Sequence, residues 1–274
     1  MFIAVWLAII ALLIAAIVII GLPDGKSESI TEAMKDGVLH EENRVSLFGL
    51  AVNPGLISAI CVSAVLIAAA VLIRVIAIPR FRDVPGPFQN VIELCVGFFD
   101  DMAHANSPHR TGFAGGYIFS AGVYIAVSTL FELLGLQVIT TAGRSVALPA
   151  PLADINGAIA MGVLSYLVIL GCGIVSGGFR GALGVLKDFS LPISMSFRLF
   201  GALLSGLLVT ELVYYYTLTS FILPVIVGVL FTLLHAAIQA YVLATLVSVF
   251  YGEAAEPKVR IKKEKKKKNK EVQS

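Results

Sequence analysis

Residues 2–21, 50–78, 116–139, 154–178, 190–216 and 224–251 are mostly apolar. Each is long enough to cross a hydrocarbon core of roughly 30 Å as a helix of about 20 residues. A segment inside a bilayer must satisfy its own backbone polar groups, so these runs are expected to be helices and not strands of an open sheet. With 58% hydrophobic residues and a mean hydropathy of +0.91, the chain reads as an all-α polytopic membrane protein with about six transmembrane helices. FQNVIELCVGFFDDMAH (88–104) mixes apolar residues with polar ones at 89, 90, 93, 100 and 101. It is expected to lie along the interface as an amphipathic helix.

The polar residues between these runs set the domain plan. No lysine or arginine precedes residues 2–21, so residues 1–22 are expected to be a retained extra helix or uncleaved anchor. Residues 23–48 form a polar extracytoplasmic loop, with six of the acids between Asp24 and Glu42. Residues 49–253 form the main membrane domain, with breaks expected at GGFRGALGVLKD (177–188) and before Pro224. Residues 254–274 form a lysine-rich tail, a solvated extension that can also touch anionic headgroups. With the N-terminus inside, Arg74, Arg80, Arg82, Arg110, Arg180, Lys187 and the tail fall on one side, and only Lys26, Lys35, Arg44 and Arg144 on the other. That asymmetry places both termini in the cytoplasm. Cys61, Cys95 and Cys172 are far apart in apolar surroundings and read as buried thiols, not as a metal site or a disulfide framework. Walker A, HExxH and GxSxG motifs are absent. No metal, cofactor or nucleic-acid partner is expected, and the chemistry must lie within the membrane.

The polar residues inside the apolar runs are therefore the functional candidates. Arg198 lies in SMSFRLFGALLSGLLV (194–209), where a lipid-facing arginine costs about 2.5–3.5 kcal/mol at a helix centre on insertion scales. It should face a cavity or a partner. Arginine is not deprotonated in proteins, so it can act only as a fixed positive charge. Snorkelling to the interface near Lys187 and Asp188 is the alternative. Gly201, Ala202, Ser205 and Gly206 give the following turns a groove on the arginine side. Glu132 in STLFELLGLQ, Glu211 in LLVTELVYYY and His235 in TLLHAAIQAY also occupy apolar segments. Thr232, His235 and Gln239 recur at spacings of three and four as one polar stripe, beside a ridge of Ala236, Ala240 and Ala244. His235 reads equally well as a hydrogen-bonded core residue, and Glu211 as an interfacial acid.

SLPISMSFRLFGALLSG and IQAYVLATLVSVFYGEA resemble two segments of subunit a of the rotary F-type ATP synthases: a proline followed by Ser-x-x-x-Arg-Leu-Phe-Gly, and Gln-Ala-Tyr/Phe-Val-Phe. VPGPFQNVIE, FELLGLQ and PLADINGAIAMG match weaker elements in the same order, and the resemblance runs from about residue 46 to 253. It implies a non-catalytic membrane stator that carries protons or sodium ions past the c-subunit ring, attached to b-type peripheral stalk subunits and the rest of the ATP synthase. The expected location is an energy-transducing bilayer, most simply a bacterial inner membrane. The resemblance also implies that Arg198 is the essential stator arginine and Gln239 the glutamine near it. The last two helices would then form a long hairpin facing the c-ring. Where the family has asparagine, histidine or glutamate, and an acid or histidine, this chain has Ala202, Leu207 and Thr232. Glu211 and His235, each one turn further along its helix, are the relocated candidates, with Glu132 a third group for the outer half-channel. Ser205, Thr232, Asp154 and Asn156 are secondary pathway or packing residues.

A permanent cation between two half-channels favours the ionised form of a rotor carboxylate and repels a free cation, so it both unloads the rotor site and blocks direct leakage. Two other classes fit some of the residues. A self-contained secondary transporter would use Arg198 for an anionic substrate and Glu211 or His235 for a coupling proton. An intramembrane hydrolase would need Ser205 and His235 in register.

Overall fold

The computed structural model describes residues 45–47, 50–107, 111–139, 145–215 and 223–256. The expected helix at 2–21, most of the 23–48 loop and the tail beyond 256 lie outside these residues. The described residues fall into two compact units, 204–231 in one and the remainder in the other.

In the larger unit, strands β1 (Val45–Leu47) and β2 (Leu50–Val52) form an antiparallel ribbon with Val45 opposite Val52. Helix α1 (Pro54–Leu72) follows, started by Asn53, whose side chain accepts the Gly55 N–H at 2.9 Å, and by proline at the first helical position. The helical path continues through a π turn, Ile73–Ala77, and stops in a short 3-10 turn that contains Pro79. Helix α2 (Pro87–Asn106) comes next, then α3 (Thr111–Phe131), which ends in a 3-10 turn at Glu132–Leu134. A second ribbon pairs β3 (Gln137–Ile139) with β4 (Ser145–Ala147). Helix α4 spans Ile155–Leu186, α5 Ser190–Tyr215 and α6 Leu223–Ala255.

Five of the six described helices fall on expected apolar runs and α2 on the segment expected to lie along the interface, and four stretches, Pro54–Arg80, Gly112–Leu134, Ile155–Leu186 and Gly228–Ala255, are long and apolar enough to cross a membrane. The described fold is all-α in class, with two short ribbons added beside α1 and α3. Two features differ from the sequence expectation. The run expected to be helical to 139 leaves the helix at Leu134, and 137–139 becomes strand β3, where Val, Ile and Thr neighbours suit a pleated ribbon. The break expected over 177–188 is concentrated at Gly178, whose φ of 59° and ψ of −143° only glycine adopts readily. Beyond it residues 179–186 are helical again and double back. Gly181 packs directly on the Gly173 carbonyl, and the Tyr166 hydroxyl donates to the Val185 carbonyl at 3.3 Å.

The core is shared by five helices. Ala103 of α2, Ile118 and Ile125 of α3, Ala158 and Ile169 of α4, Met195 and Leu199 of α5, and Leu243, Ala244 and Val247 of α6 form one buried cluster. On α6 the buried positions recur every three or four residues, the spacing that turns one helix stripe toward a core. Helix α2 runs parallel to α6 across this core. The Phe98 and Tyr241 ring centroids are 6.3 Å apart, the Asn106 amide donates to the Ser248 hydroxyl at 3.1 Å, and Ser248 donates to the Met102 carbonyl at 2.9 Å. On its other flank α2 meets α3, with Phe99 edge-on to Phe119 at 5.8 Å. Helix α1 stands outside this cluster and joins the bundle through a smaller one, where Val62 meets Phe131 and Leu148.

The thiols divide by position. Cys172 is buried and in contact with the Tyr251 carbonyl at 3.7 Å, whereas Cys61 and Cys95 are exposed on α1 and α2. The expectation that all three are buried is corrected for these two. Their apolar neighbours belong to outward surfaces, where lipid and not protein supplies the apolar surroundings.

Candidate functional site

Helix α5 is set in place by its approach to α4. A side-chain carbon at Gly162 would overlap the Ser196 hydroxyl and come within 2.9 Å of the Pro192 carbonyl, so only glycine lets the two backbones approach this closely. The Ser196 hydroxyl is turned back onto its own helix, donating to Pro192 O at 2.7 Å. With Ser196 against α4, the face carrying Pro192, Met195, Ser196 and Leu199 is buried. Arg198 is two residues from Ser196, about 200° around the helix. It therefore points away from the core and is exposed with Ser194, Phe197 and Gly201. The described residues do not enclose Arg198: they present it on an outward face beside small residues.

The α6 stripe is arranged the other way. Thr232 and Gln239 are buried, His235 is partly buried, and the expected ridge of Ala236, Ala240 and Ala244 is buried with them. Gln239 is 7% exposed, and its Oε1 accepts no hydrogen bond from the described residues, Arg198 included. An unpaired buried carbonyl oxygen of this kind costs about 1–3 kcal/mol.

The remaining candidates are dispersed. Glu132 is partly buried in the 3-10 turn that ends α3. Asp154 and Asn156 cap α4: the Asp154 carboxylate accepts the Asn156 N–H at 3.1 Å and the Asn156 amide at 3.2 Å. Its other oxygen accepts from Asn53 at 2.8 Å, which ties the start of α4 to the start of α1. In the smaller unit, Ser205 is exposed on α5, and the Glu211 side chain lies outside the described residues. Sequence reasoning missed Gly162 and Ser196 as the residues that aim Arg198. A small residue on each helix is a signal for close packing, but it does not identify the partner.

A polytopic membrane protein that holds a fixed cation on an outward helix face, and a buried amide and histidine on another helix, is built to handle charge inside the bilayer. Comparison with known proteins specifies which kind. The family model for the ATP synthase A chain matches residues 57–252. The chain is 28% identical over 203 residues to ATP synthase subunit a of Cereibacter sphaeroides (strain ATCC 17025 / ATH 2.4.3), covering 70% of this chain and 77% of that protein. It is 30% identical over 200 residues to the chloroplastic ATP synthase subunit a of Stigeoclonium helveticum, covering 68% and 79%. The chain belongs to the ATP synthase A chain family. It is the non-catalytic, ion-translocating subunit of the membrane sector, a multi-pass protein of an energy-transducing membrane, with its partners inside the ATP synthase complex.

Because the Gly162 contact aims Arg198, replacing Gly162→Leu should push α5 off α4 and impair function without touching the arginine. Overpacking of this kind costs about 1–3 kcal/mol. The expected result is a complex with a lowered melting temperature in detergent and a larger loss of ATP-driven ion pumping than Gly162→Ala causes.

Proposed function

We propose that Arg198 is the stator charge that each rotor carboxylate meets, and that the outward face of α5 is the face turned to the c-subunit ring. The observation that carries this reading is the exposure of Arg198 beside Ser194 and Gly201, combined with the family assignment. An arginine left toward lipid is costly, and a passing carboxylate offsets that cost. The small residues beside it leave room for the helix that bears the carboxylate. The fixed charge favours release of the ion on one side and opposes its direct passage to the other, so rotation becomes the conducting route. Each elementary charge crossing 100 mV contributes about 2.3 kcal/mol, so several ions must pass for each nucleotide made in the catalytic head.

In the same reading, the membrane domain has the extra N-terminal span, five further helical runs and the interfacial helix α2. Its last two helices form the rotor-facing hairpin, b-type stalk subunits hold it, and both termini lie in the cytoplasm of a bacterial inner membrane. Helix α2 supports its part of this picture with two separate faces: Gln89, Glu93, Asp100 and His104 line one, and exposed Val91, Leu94 and Phe98 the other. Gln239, with its unpartnered buried oxygen, supplies an acceptor on α6. Glu132, Glu211 and His235 serve the outer half-channel, an assignment that rests on protonatable residues in otherwise apolar segments. A secondary transporter would instead purify without a ring and stalk.

Replacing Arg198→Ala should abolish ATP-driven ion pumping in inverted membrane vesicles while the complex still assembles; pumping at the wild-type rate contradicts the assignment. Neutral replacements Glu132→Gln, Glu211→Gln and His235→Gln, scored as pumping rate against pH, should lower or reshape the profile. If all three profiles match wild type, these residues do not line the path.

A further inference from the structure

A groove of about 710 Å³ runs between α1, α3 and α4, and among the described residues none of α5 or α6 lines it. Its origin lies in the loose attachment of α1, which stands apart from the main core and touches the bundle at separated points. At one end the Asn53–Asp154 hydrogen bond of 2.8 Å joins the starts of α1 and α4. Further along, the Tyr117 hydroxyl of α3 is paired with the Ser165 hydroxyl of α4 at 2.8 Å. Between these ties the walls are apolar.

The polar groups between the two ends are few. Tyr117 is paired as above, and the Ser120 hydroxyl donates to the Gly116 carbonyl at 2.8 Å. A row of waters needs two to four polar partners for each molecule, which these walls do not supply. The slot therefore suits an alkyl chain. It is also too narrow for a helix of about 10 Å diameter, because α1 brings Cα atoms within 8 Å of both α3 and α4. Its mouth is flanked by Leu56, Ile67 and Leu164, which are 53%, 65% and 50% exposed and lie on membrane-length helices, so it opens toward the bilayer. Of the lining side chains only Asp154 is charged, and it stands at the polar end beside Asn53 and Asn156.

We propose that this groove is a binding site for one bilayer phospholipid, with an acyl chain between α1 and the α3–α4 pair and an ammonium-bearing headgroup, of the ethanolamine class, against Asp154. Charge complementarity selects the headgroup: a carboxylate at the mouth attracts an ammonium and disfavours an acidic lipid. The bound chain fills the space that protein side chains leave and seals α1 to the bundle.

The test uses the intact ATP synthase complex in nanodiscs containing a phosphatidylethanolamine with a photoreactive diazirine in its acyl chain. After irradiation, adducts are mapped by peptide mass spectrometry. Adducts are expected on α1 and α4 peptides containing Ser63 and Leu164. They should be lost in Ala59→Phe and Ala160→Phe, which fill the slot. Asp154→Asn, which keeps a competent helix cap, should remove the preference for the ethanolamine probe over the same probe with a glycerol headgroup. Any of four outcomes overturns the proposal: undiminished labelling in the filled variants, no adduct on these peptides, equal labelling of wild type by both headgroups, or labelling of the isolated subunit only, which would assign the groove to a partner helix. If neither filled variant assembles, the wild-type map and the headgroup comparison decide the matter.

Discussion

The close approach of α4 and α5 at Gly162 and Ser196 fixes the direction in which Arg198 points. A helix offers little freedom once one face is committed. Burying Ser196 sends Arg198 outward by helical geometry alone, with no further contact needed. The same commitment buries Met195 and Leu199 in the common core, so the energetics of packing and the direction of the arginine are one constraint. Among the described residues the direction of Arg198 is set by backbone proximity, which is stiff, and not by an ion pair.

The helices around this contact carry different parts of the burden. Helix α2 braces the C-terminal half of α6 through the Asn106–Ser248–Met102 hydrogen bonds. Helix α4 begins at a shared cap with α1 and ends by doubling back at Gly178, so both of its ends are defined. Helix α1, by contrast, touches the bundle at few places and leaves the apolar groove beside it.

Much of this was legible in the sequence, because the feature that sets the fold, long apolar runs, is local. The runs at 190–216 and 224–251 became α5 and α6 within a few residues, and the alanine ridge on α6 faces inward as its spacing required. What was not legible depends on partners distant in sequence. The outward direction of Arg198 depends on which face of α5 meets Gly162, and no periodicity in residues 194–209 contains that information. Asp154 and Asn156 read as secondary pathway or packing residues, and the sequence did not show that one carboxylate caps α4 and also binds the cap of α1. The exposure of Cys61 and Cys95 was hidden for a related reason: in a membrane protein an apolar neighbourhood in sequence does not distinguish core from lipid-facing surface.

The central claim is that the outward face of α5, centred on Arg198, is the surface past which the rotor moves. Disulfide trapping in the intact complex tests it directly, with single cysteines placed at Ser194→Cys and Gly201→Cys on that face and at Met195→Cys on the buried face, each paired with a cysteine on the rotor subunit next to its ion-binding carboxylate. The account predicts cross-links to the rotor from positions 194 and 201 and none from 195. Cross-links from 195 alone, or from none of the three while other faces of the chain react with the rotor, would contradict it.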